Sequence, residues 1–269
     1  HISSLEKELN ARLFVRNTKE VKLSDDGKDL YRYARQMIDL QKKIEERFET
    51  GKEESKHLIT IAASTIPAQY LLPKILMKFN ERYPKEQVKL LETDSSQVVT
   101  QIIDHMVDVG FTGTVLEKKH CKYIPFYKDE LVVITPNTEK YQKLLEDMPD
   151  DISWISGEHL IMREEGSGTR KEAGKQLRAA GINLDKLKII ASIENQETIK
   201  KSVKQGMGIS VISRLAAEDE VKYGDLLAFS IPKADQGRDI NLVYNKNYQM
   251  SKSTERFVKI VKEIYGIEE

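Results

Sequence analysis

The sequence predicts an α/β protein with one long amphipathic helix ahead of it, and three observations carry that prediction. From residue 58 onward, short apolar runs of strand type alternate with longer segments whose apolar residues recur at helical spacing. Before them, Ser24 to Phe48 forms a single periodic segment. Between the two, ETGKEESKH (49–57) carries five acidic or basic residues and a glycine with no apolar anchor, the composition of an exposed hinge.

The segment SDDGKDLYRYARQMIDLQKKIEERF reads as one helix. Ser24 is placed to cap it, and Asp25 and Asp26 stand in the first turn, where the helix dipole favours negative charge. Gly27 costs helix propensity there. Leu30, Ala34, Met37, Gln41, Ile44 and Phe48 recur at steps of four and three, an apolar stripe interrupted only by Gln41. Such a stripe packs either on its own domain or on a second copy of itself; the second reading makes it a dimerisation helix with Gln41 setting register.

Composition narrows the function classes. The 269 residues are 39% hydrophobic, enough for one to three compact units. The 43 basic and 43 acidic residues cancel, so a preference for nucleic acid or a membrane surface must be local. A single cysteine, Cys121, excludes an intramolecular disulfide framework, and adjacent His120 makes no metal site alone. There is neither an apolar run long enough for a membrane helix nor a basic-then-apolar export signal at the start. These features predict a cytoplasmic protein.

The chain begins inside a helical pattern, with Ile2, Leu5, Leu9 and Leu13 on one face. Val15, a polar tip at residues 17–20, and Val21 and Leu23 flanking Lys22 then predict a small hairpin. Arg12, Arg16, Lys19 and Lys22 place four positive charges in eleven residues, opposed only by Glu20, a local candidate for binding phosphate.

Leu5-Glu6, Leu9, Leu13-Phe14, Arg16, Leu23-Ser24 and Gly27 match the pattern LE-x-x-L-x-x-x-LF-x-R followed by LT-x-x-G, with Ser24 where threonine is common. In these residues the chain resembles the LysR-type transcriptional regulators. The resemblance implies that residues 1–24 are the end of a recognition helix and the wing of a winged helix-turn-helix, and that 25–57 are a linker and dimerisation helix with its hinge. It also implies that two further helices and the start of the recognition helix precede residue 1, taking most base-edge contacts with them. Arg16, Thr18, Lys19 and Lys22 are then the DNA-binding candidates, touching backbone or minor groove and positioning more than specifying.

In the downstream half, LITIAA (58–63), VKLLET (88–93) and DVGFT (108–112) read as strands. Between them lie helical faces formed by Leu71, Leu72, Ile75, Leu76, Phe79 and Tyr83, and by Val98, Val99, Ile102, Ile103 and Met106. Strand–helix alternation predicts right-handed crossovers and a mostly parallel sheet, with ligands outside the carboxyl ends of the strands. Ser64-Thr65, Ser95-Ser96 and Thr112-Gly113 follow the three strands, each able either to cap a helix or turn or to meet a ligand. Further strands are predicted at 131–135, 159–162, 187–193, 209–212, 227–231 and 240–247, and helices at 169–180, 196–205, 214–223 and 253–265.

The most informative chemistry is REEGSGTRKEAG (163–174). Gly166 and Gly168 allow positive φ or close approach of a ligand, and the helix opening at Thr169-Arg170 offers free amides beside the Ser167 and Thr169 hydroxyls. The alternative is a glycine turn with a Ser/Thr cap. The segment lacks the Lys-Ser/Thr ending of a nucleotide P-loop, so no nucleotide is predicted.

The family resemblance continues in RE-x-GSGTR and in ENQETIKKSVKQGMGISVIS. It implies a two-lobed effector domain over 58–269, of the type-2 periplasmic-binding-protein-like class, with lobe I at about 58–131 and 246–269 and lobe II at about 132–245. Effector-binding candidates are Ser64, Thr65, Ser95, Ser96, Thr112, Gly113, Ser167, Gly168, Thr169, Arg170, Asn195 and Thr198. The expected effector is a small anion, a sulfur-linked oxyanion or small carboxylate, that repositions a dimeric or tetrameric DNA-binding arm. His57, His105 and His159 lack ligand spacing, Trp154 and the tyrosines form no stacking ladder, and no catalytic set, metal site or cofactor motif is legible, so the chain reads as a non-enzyme. A solute-binding protein of the same two-lobed fold, taking a small anion for transport, is the alternative; the basic hairpin and the striped helix favour the regulator.

Overall fold

A computed structural model describes residues 1–16, 21–48, 58–147, 151–232 and 237–267 of the chain. Helix α1 (Ile2–Glu8) leads into strands β1 (Phe14–Arg16) and β2 (Val21–Leu23), an antiparallel hairpin with Phe14 opposite Leu23 and Arg16 opposite Val21. Helix and hairpin are tied by the Glu6 carboxylate, which accepts from the Leu13 and Phe14 amides at 2.8 and 3.3 Å. Thr18 and Lys19, with the side chain of Arg16, lie outside the described residues; Lys22 is exposed on β2.

Helix α2 spans Asp25–Phe48. Ser24 caps it, its hydroxyl accepting from the Gly27 amide at 2.9 Å while donating to the Arg12 carbonyl. Gly27 is required by close approach: a Cβ there would lie 2.0 Å from the Leu13 carbonyl oxygen. Its propensity cost of about 1 kcal/mol therefore lets the helix start seat directly on the hairpin. Along the stripe, Leu30 and Ala34 are half-buried, but Met37 is 73% and Ile44 52% exposed.

Beyond residue 57 two mixed sheets form. The first receives β3 (Leu58–Ala63), β4 (Gln87–Glu92), β5 (Val109–Thr112) and β6 (Cys121–Asp129). A π-helical turn at Pro67–Leu71 and helices α3 (Leu72–Arg82) and α4 (Ser95–Ile103) connect them. The second receives β7 (Leu131–Pro136), β8 (His159–Met162), β9 (Lys188–Ser192), β10 (Ile209–Ser213) and β11 (Leu226–Ser230). Its helices are α5 (Glu139–Asp147), α6 (Gly168–Ala179), α7 (Gln196–Lys204) and α8 (Arg214–Lys222). The chain closes with β12 (Arg238–Asn245) and α9 (Lys252–Tyr265).

The sheet orders are β4-β3-β5-β12-β6 and β11-β7-β10-β8-β9. In each, three strands run parallel: β3 with β4 and β5, and β8 with β9 and β10. The antiparallel members lie beside the two places where the chain changes sheet, between β6 and β7 and between β11 and β12. The expectation of mostly parallel sheets holds for these three strands of each sheet. The lobe boundary at 245 is corrected: β12 pairs with β5 and β6, so the chain has rejoined the first sheet by Arg238.

β6 and α5 were not legible in the sequence. Pro125 interrupts β6, which is tolerated because β6 is an edge strand and Pro125 stands opposite Asn241 where the pairing register shifts. The apolar core of the described residues divides into three clusters, and both sheets are buried on both faces: Val132 and Ile134 of β7 join one cluster and Leu131 and Val133 another. Phe79, Phe111 and Phe257 pack edge-on in the first lobe, and Trp154 on Phe229 in the second. Among the described residues no helix is long and apolar enough to cross a membrane.

Candidate functional site

The parallel strands of both lobes end toward a shared cleft. From the first lobe it is lined by Ser64 and Thr65 after β3, Thr93 to Ser95 after β4, and Gly113 after β5. From the second come Arg163 and Glu164 after β8 and Ser167 to Thr169 at the start of α6; Arg238 enters where the chain recrosses. This is the expected position for ligands in such sheets, because helix N-termini there present amides without intrahelical partners. The lobes lie close together: the free volume is about 20 Å³, room for little more than one water.

Glycines make this proximity possible. A Cβ on Gly168 would lie 3.0 Å from Ser95 Oγ and 3.3 Å from Thr114 Cγ2, and one on Gly166 would lie 3.5 Å from the Asp94 carboxyl carbon. Neither glycine has a positive φ, so of the two reasons for glycine at these positions, close approach is the operative one. Ser167 caps α6, accepting from the Arg170 amide at 3.4 Å.

Two guanidiniums enter the cleft, each with its own carboxylate. Arg163 is gripped by Glu164 through Nε and Nη2 at 2.8 and 2.9 Å, and Nη2 makes a long contact of 3.5 Å to Thr65 Oγ1 across the lobes. Arg238 donates from Nε to Asp129 Oδ2 at 2.9 Å and from Nη1 to Thr169 Oγ1 at 3.0 Å. Asp129, fully buried at the end of β6, also accepts from Ser213 at 2.6 Å. Gly113 makes room for this arginine, since a Cβ there would stand 3.1 Å from Nη1.

Two polar atoms at the cleft are buried without a hydrogen-bond partner: Ser95 Oγ and Arg238 Nη2. Nη2 lies 2.7 Å from Asp129 Oδ2, an ion-pair distance, but off the direction of its N–H bonds. Buried polar groups are paired in the great majority of proteins, so the unpaired Ser95 hydroxyl marks the cleft as a place suited to receive something.

Of the residues named from sequence, Ser64, Thr65, Ser95, Gly113, Ser167, Gly168 and Thr169 come together at the cleft. The other five are engaged elsewhere. The Ser96 amide donates to Asp94 Oδ1, and its side chain is exposed. Thr112 is fully buried and donates to the Thr114 carbonyl. Arg170 turns back to the Arg163 carbonyl at 2.8 Å and to Ser192 Oγ at 3.4 Å. Asn195 caps α7, accepting from the Thr198 amide at 2.9 Å, and both residues are exposed. Sequence reading missed Asp94, Arg163, Glu164 and Arg238. The first precedes a Ser-Ser pair as a helix cap should, and the next two open the glycine-rich segment. Arg238 lies 69 residues from its partner Thr169, and no local pattern links them.

Thiol chemistry is absent from this site: Cys121 is buried and pushed up to about 11, chiefly by desolvation. Among the described residues no cluster of His, Cys, Asp or Glu could hold a metal ion.

Two α/β lobes, crossed twice by the chain and sharing a polar cleft at their strand ends, define a ligand-binding domain of the clamshell type. Residues 52–265 match the family model of the LysR substrate binding domain, and the chain belongs to that family: it is a LysR-type transcriptional regulator. It is 29% identical over 268 residues to an uncharacterised HTH-type transcriptional regulator of Methanocaldococcus jannaschii, covering 98% of this chain and 88% of that one. Its fold is similar to the regulatory domain of Synechocystis CcmR in complex with 2-PG, with a TM-score of 0.69 at 23% identity over 78% of this chain and 98% of that one. Full-length CbnR complexed with its target DNA also gives 0.69, at 17% identity over 97% of this chain and 87% of that one.

Proposed function

We propose that this regulator senses a small anion held between the two lobes and, as a dimer or tetramer, uses it to reposition DNA-binding ends on an operator. The observation that carries the reading is the convergence at one cleft of the unpartnered, buried Ser95 Oγ and the Arg238 guanidinium with the amide-rich start of α6. Anions are favoured there by the helix dipole, by the amides and by the guanidinium together. Ser64, Thr65, Ser167, Gly168 and Thr169 complete the proposed contact set, in which a sulfur-linked oxyanion or small carboxylate fits the polar lining.

The DNA-facing half of the proposal rests on the amino-terminal hairpin, with Arg16, Thr18, Lys19 and Lys22 as backbone contacts, and on α2, whose partly exposed stripe would join two copies. The relative CbnR, complexed with its target DNA, supports the partner class; CcmR, in complex with 2-PG, supports a small-molecule effector.

The test is a thermal-shift screen of oxyanions and small carboxylates on this chain. A true effector raises the melting temperature by mass action, and the Ser167→Ala/Thr169→Ala double variant loses that rise. An undiminished rise in the variant overturns the site.

A further inference from the structure

The cleft contains one charged group that the anion site leaves without a role. Resting on that reading of the cleft, the geometry points to an effector that is an oxyanion still carrying an acidic proton near neutral pH, with Asp94 as the acceptor of that proton.

Asp94 caps α4 by accepting the Ser96 and Gln97 amides on Oδ1, at 2.7 and 2.9 Å. The α4 amides that would draw an anion are thus already satisfied by a carboxylate, and the anionic group of a ligand is directed to the start of α6 instead. The other oxygen, Oδ2, faces the second lobe, 3.6 Å from where a Gly166 Cβ would stand. Ser95, the next residue, presents its unpartnered Oγ to Gly168 at the start of α6. A molecule that fills this space therefore touches the α6 amides on one side and Ser95 with Asp94 on the other.

The charges at the cleft do not balance. Arg163 is neutralised by Glu164 and Arg238 by Asp129, whereas among the described residues no ion pair joins Asp94 to a cation. A fully deprotonated anion at α6 would meet the Asp94 carboxylate with nothing between two negative groups. An anion with an O–H converts that repulsion into a charge-assisted hydrogen bond.

Inorganic phosphate and sulfate separate the alternatives, because they share size and tetrahedral shape but only phosphate keeps a proton at neutral pH. Calorimetric titration of the whole chain at matched ionic strength should give phosphate affinity at least tenfold above sulfate. Asp94→Asn retains a good helix cap and replaces the acceptor by an amide that can donate, so it should collapse or invert the ratio chiefly by a gain in sulfate binding. Asp94→Ser, also a good cap, should relax the ratio in the same direction and guards against a folding defect in the first variant. Equal binding of the two anions by the wild type, or a ratio unchanged in both variants, overturns the proton requirement while leaving the anion cleft intact. Binding of neither anion overturns this inference alone if small carboxylates still bind, and the underlying reading as well if they do not.

Discussion

Ser95→Ala is the sharpest single perturbation of the cleft, because the structure assigns its hydroxyl no partner. Ser95 is 2% exposed and its Oγ is unsatisfied, so the folded chain carries the desolvation of that group without a compensating bond. A buried unpaired polar group costs about 1–3 kcal/mol, so even partial relief should stabilise the unliganded protein by about 1 kcal/mol. For a domain of this size that raises Tm by about 2–4 °C. Ligand binding should change in the opposite sense: a hydrogen bond to a charged group contributes about 1.5–3 kcal/mol, so the variant should bind its anion about 10- to 100-fold more weakly. Thermal denaturation without ligand and calorimetric titration with it measure the two halves independently. A destabilised variant would show that the hydroxyl has a structural partner, and unchanged affinity would remove Ser95 from the ligand's contacts.

Three other outcomes are expected. Replacing Met37 and Ile44 by Asp should weaken self-association in sedimentation experiments with folding stability kept within about 0.5 kcal/mol, since both side chains are exposed; unaltered assembly would exclude this stripe as the interface. Gly27→Ala should lower the urea midpoint by an equivalent of about 1–3 kcal/mol despite alanine's better helix propensity, because the new Cβ meets the Leu13 carbonyl. For pH dependence, the hydrogen bond from Arg214 holds the Glu130 carboxyl below its ordinary range. Its contribution is therefore complete above the unfolded value of about 4.3 and is lost as pH falls through the lowered folded value. The pair is half-exposed, so Glu130→Gln should cost only about 0–1 kcal/mol at pH 7, with urea midpoints converging in acid; a gap that persists there would assign the effect to packing.

The elements that sequence reading recovered share a physical property: their apolar pattern is set locally. α4 and α9 bury one face along a helical repeat, and β3 and β10 are short apolar runs buried on both faces; both signals are visible in one dimension. β6 was hidden because Pro125 broke its run, and its place at a sheet edge is a fact of topology. The same division runs through the site. Ser167 and Thr169 announce themselves beside two glycines, whereas the need for those glycines is fixed by Asp94 and Ser95, which pack against them from the other lobe. Ser96 and Asn195 show the converse. Both have the residue type of a ligand contact, but Ser96 meets Asp94 through its amide and the Asn195 side chain caps α7. The sequence-level choice between cap and ligand is decided by which way each side chain faces.

The arrangement of the crossings bears on how a small ligand could move so large a body. Thr169, at the start of α6, holds Arg238; Arg238 holds Asp129; and Asp129 holds Ser213 at the end of β10. Asp129 and Arg238 flank the two crossings, so any bond a ligand takes from Thr169 or Nη2 is made at the hinge itself. Breaking the buried pair outright would cost about 3–5 kcal/mol, which makes its loss an unsuitable switch; sharing Arg238 between Asp129 and a ligand leaves the pair intact. To move a two-state equilibrium from 1:99 to 99:1 a ligand must favour one state by about 5.5 kcal/mol. Hydrogen bonds to a charged ligand contribute about 1.5–3 kcal/mol each, so about two to four made only with the lobes together suffice. Under the proposed function the effector must therefore bond to both lobes at once. Ser95, Asp94 and Arg238 on the first lobe, and the α6 amides on the second, are the groups placed to satisfy that requirement.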